Sequence, residues 1–415
     1  MRAATLFVAL AALLGCEDPS TPDASAPADA ASADGAVGDD AGSPDDGGAP
    51  AVDAGDAGST GAEVTGAVEV VSGARHACAR LEGGEVLCWG SNTGGQLGDG
   101  TRIARLVAAP VDALDGAAGV LAVGAFHTCA QTDRLFCWGH DVYGQLGIGG
   151  TVGAALPELA RGLGARAVSR VAGGADHTCA LDELGRAYCA GRNASGQLGT
   201  GTRSDDTRFA RAAGDVEGLV DVGCGDAHSC ALDPSGAVLC WGANERGQLG
   251  LGDSFDRLEP TPIPELVATD LAVGARHTCA ALPDGTVACW GWGARARLGG
   301  LPSSLTPVVL PDLADVVEVD AGEAHTCARH ADGTVSCWGE NRLGALGVGS
   351  DEPATSPLPV LGLADVAALG AGSGFTCAVH VDGGVACWGA NESGQLGDGT
   401  TETRTAPVAV RRGAP

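Results

Sequence analysis

The sequence predicts an all-β fold, a seven-bladed β-propeller, on three observations. A motif built around two cysteines returns seven times, its first cysteine at Cys78, Cys129, Cys179, Cys230, Cys279, Cys327 and Cys377. The composition suits tight turns better than bulky packing: there are 68 Gly, against 6 Phe, 7 Trp and 2 Tyr. Apolar positions alternate, as in Val335-Ser336-Cys337-Trp338, which is the period of a strand. A repeat of 48 to 51 residues made of short strands and Gly-rich turns is the signature of propeller blades.

The motif itself is specific. His76-Ala77-Cys78 is followed by Cys88-Trp89-Gly90 and then by Gly95-Gln96-Leu97-Gly98. The frame returns at His127, His177, His228, His277 and His325, with Phe375 in the His position of the seventh copy. Copy three has Ala190 in place of Trp, copy five ends Ala296-Arg297-Leu298-Gly299, and copy six ends Gly344-Ala345-Leu346-Gly347. H-T-C-A followed by C-W-G-x-N-x-x-G-Q-L-G resembles the RCC1 (regulator of chromosome condensation) repeat family. The resemblance spans about Val64 to Val410. It implies a closed ring of seven four-stranded blades, with the terminal strands sharing one blade. Val68–Val71 and Pro407–Val410 are the candidates for that closure.

The cysteine spacing predicts cross-strand bonds. In six copies nine residues separate the pair, and a Gly stands six residues after the first Cys. Pro283-Asp284-Gly285 shows the logic: Pro presets the first turn residue and Gly takes the left-handed position of a hairpin loop. A hairpin centred on Asp284 sets Cys279 opposite Cys289. Copy two is shorter by two residues, which preserves facing; shortening by one would not. The expected disulfides are Cys78–Cys88, Cys129–Cys137, Cys179–Cys189, Cys230–Cys240, Cys279–Cys289, Cys327–Cys337 and Cys377–Cys387. The rival reading, metal held by each His-x-Cys, suffers from the placement of successive copies on separate blades, so no metal is expected. Cys224 is left over, read as a small buried residue and not as a reactive thiol.

Residues 1–15 read as a lipoprotein signal peptide. Arg2 precedes an apolar run, Ala3–Leu14, too short to span a bilayer. Leu13-Leu14-Gly15-Cys16 resembles a bacterial lipobox, which makes Cys16 the lipidation site. Residues 16–63 then form an acidic linker rich in Ala, Asp, Gly and Pro, expected to be disordered because it has almost nothing large and apolar to bury. The propeller is expected over 64–415. These readings place the chain at the bacterial cell envelope, lipid-anchored, with the outer membrane favoured.

Charge limits the partners. The formal net charge is −28, and all 24 basic residues are Arg. Phosphate binding needs clustered basic residues, so a nucleic-acid partner is disfavoured. The membrane is reached only through the lipid anchor. No cofactor is implied: no phosphate loop follows the Gly-rich strings, and Asp99-Gly100-Thr101 and Asp398-Gly399-Thr400 lack the alternating carboxylates of a calcium loop. No catalytic constellation appears, and the recurring motif His residues have no partnered nucleophile.

Departures from the repeat are the candidates for function. Copy five carries Trp292, Gly293, Arg295, Ala296 and Arg297 where the repeat has other residues. Trp and Arg are enriched at binding hot spots, so Trp292, Arg295 and Arg297 are the candidate partner-binding residues, expected as an exposed patch. Arg203, Arg208 and Arg211 form a second, weaker basic cluster. The expected function is a non-catalytic, monomeric protein-binding scaffold using the propeller-face loops, its protein partner unidentified. The resemblance leaves two alternatives, an inhibitor of a secreted or periplasmic enzyme and an envelope carbohydrate-binding module or hydrolase.

Overall fold

The computed structural model describes residues 61–413. The signal peptide, Cys16 and nearly all of the linker lie outside the described residues. The described residues form seven four-stranded antiparallel sheets, each ordered as in the sequence from the channel outward. In blade one the strands are Ala67–Ser72, His76–Leu81, Val86–Gly90 and Arg105–Pro110.

The hairpin register is the one the cysteine spacing requires. Cys279 faces Cys289 directly, and in the shortened copy Cys129 faces Cys137. All seven expected pairs are bonded, with Cα atoms 4.0–4.1 Å apart. Each closes a short loop, worth about 2–3 kcal/mol in the chain-entropy account.

The apolar core is divided among the seven junctions between neighbouring blades. The second-hairpin Trp fills each of six of them, and its indole N–H donates to a carbonyl of the preceding blade, as from Trp138 to Gln96 at 2.9 Å. Blade three lacks that Trp. There Phe209, from the outer strand, packs beside Ala190 against Gly147, where Gly98 abuts Trp138 one junction earlier.

The motif His also joins blades. His127 Nε2 lies 2.7 Å from Thr178 Oγ1, while that hydroxyl donates to the Gln145 carbonyl. A hydroxyl has one proton, so the imidazole must be the donor, through Nε2–H. Burial lowers the pKa of His127 to about 3, so the ring is neutral. These histidines are fixed framework, in keeping with their lack of a nucleophile.

A closed ring of backbone hydrogen bonds runs around the channel, one bond per junction. It passes from Ala74 to Ala125 in blade two, and returns from Ser373 in blade seven to Gly73 in blade one, with distances of 3.0–3.4 Å. The residue three before each motif His is Gly in every blade. A Cβ on Gly73 would lie 2.4 Å from the Gly124 oxygen, and one on Gly322 would lie 2.2 Å from the Gly372 oxygen. Close approach of neighbouring blades, and not backbone conformation, therefore demands glycine here.

Ring closure differs from the expectation. Val68–Val71 belongs to the inner strand of blade one, and Pro407–Val410 to the outer edge of blade seven, so no blade is shared by the two ends. Instead the C-terminal tail runs on past blade seven. Val64 N–H donates to the Val410 carbonyl at 2.9 Å, and Glu63 pairs with Arg411. Arg412 lies parallel to Ala108 on the outer strand of blade one. Each blade is complete in itself, and the tail, flanked by residues 62–64, ties the last blade to the first.

Candidate functional site

The inner strands enclose a channel of about 790 Å³. One mouth is built by two variable positions that the backbone always brings together. The residue after Cys-x-Gly donates its N–H to the carbonyl of the residue before the motif His, at 2.8–2.9 Å in all seven blades. The framework is fixed, so only the side chains change. In blade two the pair is Phe126 and His140, whose rings meet edge to face at 6.3 Å. In blade three it is Asp176 and Arg192, an ion pair at 3.4 Å. In blade five it is Arg276 and Trp292, with the guanidinium 5.5 Å from the indole centroid.

A third variable position reaches this pair from the preceding blade. It stands two residues after the repeat Asn. Tyr143 stacks in this way on Arg192 at 4.9 Å, and Arg246 on Trp292 at 5.3 Å. Arg295 extends from blade five to Glu340 of blade six, 3.7 Å away. Each junction therefore presents three independently variable positions beside the channel mouth, of which Gly94 and Gly374 carry no side chain.

Blade five is the most elaborate of these junctions. Trp292 is half-buried among three guanidinium groups, those of Arg246, Arg276 and Arg297. Such contacts contribute about 0.5–1 kcal/mol each when exposed and more when desolvated. Arg276 is offset by Asp226 at 3.8 Å.

The expected patch needs correction in two respects. Arg297 is not a surface residue: it is only 2% exposed, 4.2 Å from the Trp292 centroid. It occupies the Gln position, which is buried in every blade that carries Gln; there the side-chain oxygen accepts a backbone N–H, as Gln248 does from Arg246 at 2.9 Å. Arginine has no acceptor to offer. The loop rearranges, and Arg295 and Ala296 both take left-handed backbone, with φ of 59° and 60°. Arg295 is exposed and pairs with Glu340, so the structure stacks Arg297, and not Arg295, on Trp292.

The missed residues are Arg246 and Arg276. The signal was present: both fall in repeat positions whose residues vary freely between copies, while the positions around them do not. The second basic cluster is divided by ion pairs, Arg203 with Asp256 at 2.9 Å and Arg211 with Glu217 at 3.3 Å.

Other titratable groups serve the framework. Asp99 Oδ1 accepts hydrogen bonds from Asn92 and Thr101, and Oδ2 faces Arg105; Asp398 repeats this with Asn391, Thr400 and Arg404. Their carboxylates staple loops. His177, Cys179 and Cys224 have ligand atoms within 4.8 Å of one another. However, Cys179 is bonded to Cys189, and His177 Nε2 contacts Ser229 at 2.9 Å. Cys224 lines the channel wall, and burial pushes its thiol up to about 12, far from thiolate reactivity.

Comparison with known proteins agrees with this architecture. The family model for the RCC1-like domain matches residues 35–315. The RCC1 repeat models match 316–345 and 366–395, and 332–379 and 382–413. The chain is similar to the ultraviolet-B receptor UVR8 of Arabidopsis thaliana, 32% identical over 205 residues, covering 48% of this chain and 46% of the receptor. It is also similar to the human E3 ubiquitin-protein ligase HERC2, 34% identical over 192 residues, covering 44% of this chain and 4% of the ligase. These matches span less than half of either relative. Among solved structures, human WBSCR16 superimposes with a TM-score of 0.70 at 22% identity, covering 79% of this chain and 93% of that one. Yeast RCC1 (Prp20), solved with Kap60, gives 0.71 at 19% identity, covering 85% and 88%. Those likenesses establish the fold. With seven repeats in one closed ring and a family match over most of its length, the chain belongs to the RCC1-like family of β-propellers.

Proposed function

We propose that the protein is a non-catalytic binding module of the cell envelope that takes a protein partner on the channel mouth bearing Trp292. The observation that carries this reading is the convergence of Arg246, Arg276 and Arg297 on one half-buried Trp. Rigid aromatic and Arg side chains on a preorganised frame are the composition of a binding hot spot. The frame is a ring closed by hydrogen bonds, while the side chains at its mouth vary, which suits recognition better than chemistry. RCC1-like propellers act as protein binders; a Saccharomyces cerevisiae Prp20p structure is described with binding to Gsp1p and histones. A nucleic-acid partner is not carried over, since a net charge of −28 supplies no phosphate-binding surface.

The tether and the lipid at Cys16 would hold this mouth off a membrane surface. Site-directed photocrosslinking in the source bacterium tests the reading. A crosslinker at position 246 is expected to capture a defined protein, and one at Val381, in a hairpin turn at the far end of the strands, is not. Equal capture from both positions, or from neither, would contradict it. Palmitate labelling that survives Cys16→Ser would remove the anchor from the proposal.

A further inference from the structure

We infer that Arg297 forms the floor of a carboxylate site: an Asp or Glu side chain of the partner enters beside Trp292 and accepts hydrogen bonds from the buried guanidinium. The inference rests on the proposed binding role of this mouth and names the chemistry of what enters it.

Three observations converge. Arg297 is 2% exposed, yet its Nε and Nη1 have no hydrogen-bond partner. A buried cation without an acceptor is costly, and the other copies avoid that cost by carrying Gln or, once, Ala. Burial lowers the Arg297 pKa only to about 10, so the group stays charged at neutral pH. Glu323 and Asp226 favour its charge from a distance but accept no hydrogen bond from its Nε or Nη1: Asp226 lies against Arg276, Glu323 against Ser373, and Glu340 against Arg295 and Arg342. Trp292 supplies a flat wall at 4.2 Å, and Arg246 stands exposed at the entrance.

The same charges limit the charge of the anion. Asp226 and Glu323 flank the mouth and line the channel. They would repel a phosphate dianion, as would the overall charge of the chain. One carboxylate is the anion that the free donors accommodate.

The variant that isolates the site is Arg297→Gln, because Gln is the residue of five other copies and restores the acceptor for the backbone N–H two residues earlier. The test uses the full-length protein with ¹⁵N-labelled Trp, the Trp292 indole resonance being assigned by Trp292→Phe. The probes are acetyl-Gly-Glu-Gly-amide and its Gln counterpart. The Glu peptide is expected to move the Trp292 resonance saturably. The Gln peptide and the Arg297→Gln variant are each expected to bind at least about tenfold more weakly, as for a lost charged hydrogen bond. Unchanged resonances from the framework Trp residues other than Trp338, whose indole N–H donates to the Arg297 carbonyl, certify the fold of the variant. No saturable shift, equal response to both peptides, or wild-type affinity in Arg297→Gln would overturn the inference. If crosslinking from position 246 still captures a partner in that event, the broader binding role stands and only the carboxylate site falls.

Discussion

Phe375 and Ala77 share the buried cluster that joins blade seven to blade one, where the other six junctions have a His of one blade against a Thr or Ser of the next. At blade six, for example, His325 Nε2 lies 2.8 Å from Thr376 Oγ1. The closing junction has exchanged both partners at once, a polar pair for an apolar one. Both residues are fully buried, so a half-exchange leaves a polar group without a partner. Phe375→His alone is expected to destabilise by about 1–3 kcal/mol, and Ala77→Thr added to it to recover much of that loss. Urea unfolding of the two singles and the double closes the cycle; additive effects would break the pairing.

The remaining junction histidines predict acid lability. Burial lowers the pKa of His76, His127, His177 and His228 to about 3 and of His325 to about 4, with His277 also well below its usual value. The unfolded chain therefore binds protons below about pH 6.5 that the folded chain refuses. Stability is full above that pH and falls as pH drops, by about 1.4 kcal/mol per unit for each histidine. Denaturant midpoints measured from pH 7 to pH 4.5 should decline steeply, and a flat profile would contradict the neutral junction rings.

Asp141 works in the opposite direction. It stands in the Asn position of copy two, where Oδ1 accepts the Leu146 N–H at 2.9 Å as the Asn oxygen does elsewhere, but Oδ2 is buried with no partner. Burial raises its pKa from 3.8 to about 7. The folded state holds a proton the unfolded state has lost, so this group stabilises at low pH and the benefit disappears as pH rises from about 4 through 7. Asp141→Asn supplies the amide donor at every pH. It is expected to stabilise on the order of 2–4 kcal/mol at pH 8 and little at pH 4, as read from paired denaturation curves.

Copy five stores backbone strain beside its binding residues. The Gly of the repeat has become Ala296, held at φ 60° next to Arg295 at 59°. Ala296→Gly is expected to raise stability by about 1 kcal/mol, seen as a higher thermal midpoint, because only the side chain opposes that conformation.

The parts of the molecule set by local chemistry were legible in the residues. The Cys spacing and its even-numbered shortening in copy two dictate which residues face one another, and the Gly-rich turns dictate where chains reverse. The site was less legible. Arg297 looks like a surface residue when copy five is read alone; its burial follows from the environment of Gln96 and Gln248, whose oxygens fold back on the loop. The pairing of Arg276 with Trp292 depends on a hydrogen bond between residues 16 apart, and Arg246 arrives from another blade. Ring closure by residues 410–413 depends on an unpaired edge of blade one, which no periodicity announces. Ala190 was visible as a missing Trp, but its replacement by Phe209 comes from the outer strand.

The Trp292 mouth is the proposed partner-binding surface. Its most direct test is the affinity of the protein captured from position 246, measured for wild type, Trp292→Ala and Val381→Ser. A loss of about tenfold or more is expected for Trp292→Ala, with wild-type affinity for Val381→Ser. Unchanged affinity in Trp292→Ala, or a loss confined to Val381→Ser, would contradict it.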